Sequence, residues 1–211
     1  MSAVACIVEG HSEVAALPLL LDRIGPWMNA EGYVRIARPP VRVPRDGFLR
    51  KETEFVRYLR LAAEKVGPGD GVLVLLDADK DCPAELGPAT RIRAERMLPD
   101  RRVSVVLVKC EYEAWLIAGA RSLERVDLLA DEEDEPLPDP ESVLGAKAWL
   151  DRRVSSGYST RVDQPRLSAA VDLDAIAAAS RSFRKLCSDW QRLTRPAPPP
   201  RPAAGSRRGD R

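Results

Sequence analysis

At 211 residues, with 45% hydrophobic and 31% charged positions, the chain has the composition of a globular protein and room for one domain with an appendage. Lys+Arg number 33 against Asp+Glu 32, so the net charge of +1 makes no case for a nucleic-acid binder, although the stretch 195–211, with its five arginines and one aspartate, is distinctly basic. The four scattered cysteines (Cys6, Cys82, Cys110, Cys187) form no CxxC pair, no apolar run reaches the roughly 18 residues of a membrane span, and the amino terminus is no signal peptide, so a reducing, cytoplasmic setting is expected.

Ala3 to Val8 is a short, uniformly apolar run, the pattern of a strand buried on both faces. Gly10 ends it, and Ser12 is placed to cap a helix through Arg23 that carries Val14, Leu17, Leu20 and Leu21. Tyr33 to Ala37 reads as a second strand, followed by a Pro-rich connection from Pro39 to Pro44. Phe55, Leu59, Ala62, Ala63 and Val66 recur at helical spacing and predict a helix over Lys51 to Val66. After the Gly67-Pro68-Gly69 turn, Val72 to Leu76 forms a third strand that runs into Asp77-Ala78-Asp79. A helix from about Pro88 to Met97 leads to a fourth strand, Val103 to Val108, and another helix begins near Glu111. Alternating strands and helices with apolar strands predict a mainly parallel four-stranded sheet covered on both faces.

The acidic, Pro-containing segment Asp131 to Glu141 is expected to be a surface loop or linker. Helices are expected over Val143 to Val154, Ala169 to Ala179 and Ser182 to Leu193. The predicted organisation is an α/β domain over 1–130, a helical extension packed on it over 131–194, and a disordered Pro/Arg tail over 195–211.

Ligands of open parallel sheets bind beyond the carboxyl ends of the strands. Three of the four strands deliver acids there: Glu9 after the first, Asp77 and Asp79 after the third, Glu111 and Glu113 after the fourth. Acids from separate strands converging on one edge point to a hard cation such as Mg²⁺ or Mn²⁺, because like charges need a cation to coexist. Each acid also has a bland reading. Asp77-Ala78-Asp79 and Asp81-Cys82-Pro83 are ordinary turn sequences, Glu111 suits a helix amino terminus, and His11, the sole histidine, suits a helix entrance.

Strand–Glu9-Gly10–helix followed by strand–Asp77-Ala78-Asp79 resembles the Toprim domain shared by topoisomerases, bacterial primases, ribonuclease M5-like maturases and the overcoming-lysogenization-defect nucleases. More specifically, the ordered segments IVEGHSE, LLDADKDCP, CEYEAWLIAG, GAKAWLDRR, GYSTRVDQ and SRSFRKL resemble the domain of unknown function 4276, a Toprim-like family of bacteria, over about Ala3 to Leu193. The resemblance implies a Toprim-like sheet with an added helical carboxyl-terminal part. It implies Glu9 as general acid/base or metal-associated residue and Asp77 and Asp79 as Mg²⁺ ligands. Glu113 would complete a second metal site, with Glu13, Asp81 and Glu111 as secondary candidates. Lys109 is the nearest cation for a scissile phosphate. The implied activity is metal-dependent nuclease chemistry on DNA or RNA in phage defence, beside a partner ATPase of the ABC-like or AAA class.

Lys147, Tyr158, Thr160, Asp163, Gln164, Ser182, Phe183 and Lys185 also fall in family-like segments, as helix packing or as a basic wall for a nucleic-acid backbone. A dehalogenase-like phosphatase would place DxD after the first strand, and a Rossmann dehydrogenase would need GxGxxG there; neither pattern is present. The alternative from another class is a non-catalytic Toprim-fold regulatory subunit that docks on an ATPase, with Trp149 and Trp190 in its docking face.

Overall fold

The structure, a computed structural model, describes residues 2–29, 34–126, 128–130 and 136–195. Tyr33, residues 131–135 of the acidic segment and the tail from 196 onward, for which a second strand, a surface loop and disorder are expected, lie outside the described residues.

Four strands, β1 (Ser2–Val8), β2 (Val34–Arg42), β3 (Gly71–Asp77) and β4 (Arg102–Val108), form one sheet in the order β2-β1-β3-β4. Every pairing is parallel. The expected α/β architecture is therefore present. The three strands that end in acids are neighbours, and their carboxyl ends share one edge.

Because the strands are apolar on both faces, helices must cover both. One face carries Ala3, Ala5, Ile7, Val74, Leu76, Val105 and Leu107, covered by α2 (Arg45–Arg50), α3 (Glu52–Ala63) and α4 (Pro83–Met97). Phe55, Leu59, Ala62 and Ala63 of α3 are all buried there, as their spacing predicts. The other face carries Val4, Cys6, Val8, Leu73, Leu75, Val106 and Val108, under α1 (Glu13–Trp27) and the remaining helices. These are α5 (Glu113–Ala118), α6 (Ala120–Glu124), α7 (Ala146–Asp151), α8 (Thr160–Ala170), α9 (Leu173–Ala179) and α10 (Arg181–Thr194). Phe183, Leu186, Trp190 and Leu193 of α10 join the same core as β1 and α1, so the carboxyl-terminal helices complete the sheet's cover. Each such large side chain contributes about 1.5–3 kcal/mol on burial.

The structure departs from the expected elements in several places, among them α8, where no helix is expected before Ala169. β2 continues through Pro39 and Pro40 to Arg42, where a connection is expected. It is an edge strand whose register against β1 shifts between Ala5 and Ile7, and edges and bulges are where a sheet tolerates proline. The single helix expected over Lys51 to Val66 is α3, preceded by a separate turn-length α2 that places Arg45. The helix expected over Ala169 to Ala179 is split at Val171-Asp172, where Asp172 caps α9 through the Asp174 and Ala175 amides. The helix expected over Val143 to Val154 shrinks to α7. Among the described residues no helix is long and apolar enough to cross a membrane.

Candidate functional site: carboxylates at the end of the sheet

The site begins where β1 ends. Glu13, in the first turn of α1 and 5% exposed, turns its Oε2 back to accept hydrogen bonds from the amides of Glu9 (3.1 Å) and Gly10 (3.2 Å). A Cβ at position 10 would stand 2.9 Å from Glu13 Oε1, so glycine is what lets the turn close on the carboxylate. Glu9 thereby sits over the sheet's carboxyl edge.

Across the sheet, the end of β3 is held by Arg45, whose residue is 8% exposed. Its Nε donates to the carbonyl of Asp77 (2.8 Å) and its guanidinium to the carbonyl of Ala78 (3.0 Å) and to the Asp81 carboxylate. Asp79 lies 3.5 Å from the same guanidinium. Asp79 (φ 50°) and Cys110 (φ 63°) both take the left-handed backbone conformation, and the Asp79 amide donates to the Cys110 carbonyl at 3.2 Å. Paired left-handed non-glycine residues at two adjacent strand ends concentrate backbone strain where the acids cluster.

From the end of β4, Glu113 enters the cluster 1% exposed. Its Oε1 accepts from Tyr158 Oη (3.1 Å) and Gln164 Nε2 (3.2 Å), and its Oε2 faces the Lys147 ammonium at 3.6 Å. Lys147 also approaches Glu111 at 3.4 Å. Thus α7 supplies a cation, and the Tyr158 loop with α8 supplies two donors that fix one carboxylate.

The electrostatics show that these groups meet. Burial, followed by the nearby carboxylates of Glu13, Glu113 and Glu9, pushes the Asp77 carboxyl well above its ordinary range. Burial and Asp79 raise Glu9, against the opposing pull of Arg45 and Lys147. Burial raises Glu13 to about 7, and Glu9 and Glu113 add to that rise. Burial opposes the Lys147 ammonium, but Glu113, Glu111 and Asp77 outweigh it and raise its pKa. Lys147 pulls both Glu9 and Asp77 down, less than burial raises them, and on Glu9 Arg45 pulls harder.

Glu9 and Glu113 thus each act on both Asp77 and Glu13, which places the four acids in one region of the sheet edge. Asp79 stands at the rim, its side chain 55% exposed and turned to Arg45, and Asp81 is committed to Arg45. Among the described residues no three His, Cys, Asp or Glu side chains form a group that could hold a metal ion as they stand. The donor chemistry nevertheless fits a hard cation. Oε2 atoms of Glu9, Glu111 and Glu113 are buried without a hydrogen-bond partner, a costly condition that a cation relieves.

Lys109, expected beside a scissile phosphate, lines a groove along β4, and Lys147 stands among the carboxylates. Lys147, Tyr158 and Gln164, left between packing and function by their sequence, surround Glu113. Thr160 opens α8; Asp163 accepts from the Ser159 amide (2.8 Å) and pairs with Arg166, a local role at the same helix start. Arg45 was not singled out at all. His11 is exposed in the turn before α1. Phe183 is a core residue, Ser182 accepts from the Trp115 indole (3.0 Å), and Lys185 pairs with Asp189. Trp149 (6% exposed) and Trp190 (2%) are buried in the core, which withdraws them from any docking face. Cys6 is buried in the core, and Cys110 is a half-buried turn residue, its thiol directed at the Glu141 carbonyl.

The fold and site define a parallel α/β protein with an acidic, lysine-containing centre at the carboxyl edge of its sheet. The chain belongs to the family described as Domain of unknown function (DUF4276), whose model matches residues 8–190. No curated protein and no solved structure matches it.

Proposed function

We propose that the chain is a divalent-cation-dependent phosphodiester hydrolase acting on nucleic acid, with its centre at Glu9, Asp77 and Glu113. The observation that carries this reading is the convergence of carboxylates from three adjacent strands, with buried oxygens that no protein donor satisfies. Glu9, Asp77 and Glu113 would hold Mg²⁺ or Mn²⁺, with Asp79 and Glu111 reachable at the rim. Such an ion supplies Lewis-acid stabilisation of phosphoryl charge and a more acidic bound water.

The chain's own residues supply the rest. Glu9, whose carboxyl is raised by burial and by Asp79, is the group placed to exchange a proton with the attacking water. Tyr158 and Gln164 hold the Glu113 carboxylate in one orientation. Lys147 balances part of the negative charge and leaves the site net acidic. Arg45 keeps the turn after β3 in register, so that Asp77 points inward and Asp79 outward.

The Toprim resemblance of Glu9-Gly10 and Asp77-Ala78-Asp79 supports the same chemistry. On that resemblance alone rest the proposals of a partner ATPase and a role in phage defence. The test is cleavage of DNA and RNA in Mg²⁺ and Mn²⁺, with and without an ATPase encoded beside the gene. Metal-dependent products that vanish in Asp77→Asn support the hydrolase. Stable association with the ATPase and no cleavage under any condition would assign the chain to the regulatory-subunit class.

A further inference from the structure

Beside the carboxylate centre, a groove of about 800 Å³ runs along the outer edge of β4, between α4 and α10. Its floor is Val105 and Leu107, with Pro83, Gly87 and Pro88 of α4 on one wall. Its upper end is marked by Cys82 and Lys109, the residues beside Asp81 and Cys110 at the site's turn. Arg91, Lys109, Arg181, Lys185 and Arg192 line it, against two acids, Glu141 and Asp189.

Both acids are committed. Glu141 Oε1 accepts from Ser180 Oγ (2.8 Å), Ser182 N (3.1 Å) and Ser182 Oγ (3.3 Å), and Asp189 pairs with Lys185. Arg192 is spent on the strand edge, donating to the Val103 carbonyl at 2.7 Å and to Ser104 Oγ at 2.6 Å. Arg91 pairs with Glu95, which does not line the groove; both side chains are over a third exposed, so this i,i+4 pair is weak and a phosphate can compete for the guanidinium. Lys109 and Arg181 have no acidic partner among the described residues. The groove therefore carries surplus positive charge over an apolar floor, on a body that is slightly acidic.

We propose that this groove holds a single nucleic-acid strand, its phosphates on Arg91, Lys109 and Arg181, and delivers it to the carboxylate centre. The proposal rests on the hydrolase reading for its direction but not for the binding itself. A duplex needs an open surface, whereas α4 and α10 wall this path on both sides of an apolar floor on which bases can lie. From Val105 to Lys109 the strand rises about 13 Å, a length that takes only a few nucleotides of an extended single strand. The polar head and apolar floor match the two faces of a nucleotide, charge outside and base within.

The test is anisotropy of a labelled single-stranded oligonucleotide on the full chain, in EDTA, as salt is raised. The double variant Arg91→Ala/Arg181→Ala should bind at least about tenfold more weakly at low salt. Its log–log salt slope should fall by about 1.4, which is about 0.7 for each lost phosphate contact. Arg57→Ala/Arg60→Ala, on α3 outside the groove, should keep the parental slope, and Arg91→Gln/Arg181→Gln guards against a folding artefact. Because no cleavage is read, failure of the hydrolase reading leaves this result intact. Equal slopes for parent and Arg91/Arg181 variants would overturn the groove. Preference for duplex over single strand, or equal competition by an acidic polypeptide, would overturn it too.

Discussion

Arg45→Met removes the guanidinium beneath the site's turn and keeps most of its apolar stem. Two backbone carbonyls, Asp77 O at 2.8 Å and Ala78 O at 3.0 Å, then lose a charged donor in a place water reaches poorly. A hydrogen bond to a charged group is worth about 1.5–3 kcal/mol, so these two contacts set the scale at roughly 3–6 kcal/mol. The Asp79 and Asp81 carboxylates add little, because they are 55% and 43% exposed and rehydrate when the partner leaves. A net loss near about 4 kcal/mol corresponds to a melting point lower by roughly 8–16 °C for a chain of 211 residues. Urea denaturation and differential scanning calorimetry in EDTA measure it. Arg45→Lys should recover less than half, since one ammonium cannot span both carbonyls, while Asp81→Asn should cost under about 1 kcal/mol. A drop below 2 °C for Arg45→Met, or an equal loss for Asp81→Asn, would refute the assignment of Arg45 as the support of this turn.

Glu9→Gln should abolish turnover while leaving oligonucleotide affinity within about twofold, because the amide keeps the shape but exchanges no proton at neutral pH; single-turnover cleavage beside a binding curve decides it. A purely structural glutamate would lose only about 0.3–1 kcal/mol of helix-dipole interaction and retain activity. Tyr158→Phe should lower stability by about 1–3 kcal/mol, since the Glu113 carboxylate loses one of its two neutral donors; unchanged urea midpoints would show that bond to be inconsequential. Gly119→Ala should destabilise by at least about 1–3 kcal/mol, because its Cβ would stand 2.2 Å from Val171 Cγ2 at the junction of α5 and α6; a parental melting point would show that this packing yields freely.

The sheet was legible because β1, β3 and β4 are apolar on both faces, a pattern that parallel strands produce and that little else in so short a run does. The acids at its edge were legible for a related reason: Glu9 and Asp77 follow such a run directly, and Glu111 and Glu113 come within a short turn of one. Arg45 was hidden, because it follows a Pro-rich stretch and its target carbonyls lie 32 and 33 residues further on. No local periodicity encodes that reach. Helix α8 was hidden because the side it buries is largely polar: Asp163, Gln164 and Ser168 are buried with Leu167, so the helix shows no apolar stripe. That anomaly is the signal that it faces the site rather than the core alone. Lys147 sits in Gly-Ala-Lys-Ala-Trp, where a lysine reads as solvated helix surface, and only the fold brings it to Glu111 and Glu113. β2 was misjudged at Pro39 because a proline pair ordinarily ends a strand, yet at a bulged edge it need not.

Calorimetric titration of Mn²⁺ into the metal-free full chain, in parallel with Asp77→Asn, tests the central claim most directly. Asp77 sits among Glu9, Glu13 and Glu113, so the parent should bind the ion saturably and melt at a higher temperature once loaded. Asp77→Asn should bind at least about a hundredfold more weakly, yet be more stable than the parent without metal, because it removes one charge from a crowded, buried cluster. A parent that binds no Mn²⁺, or an Asp77→Asn variant that binds it as tightly and melts lower in EDTA, would contradict the account of this cluster as a cation site.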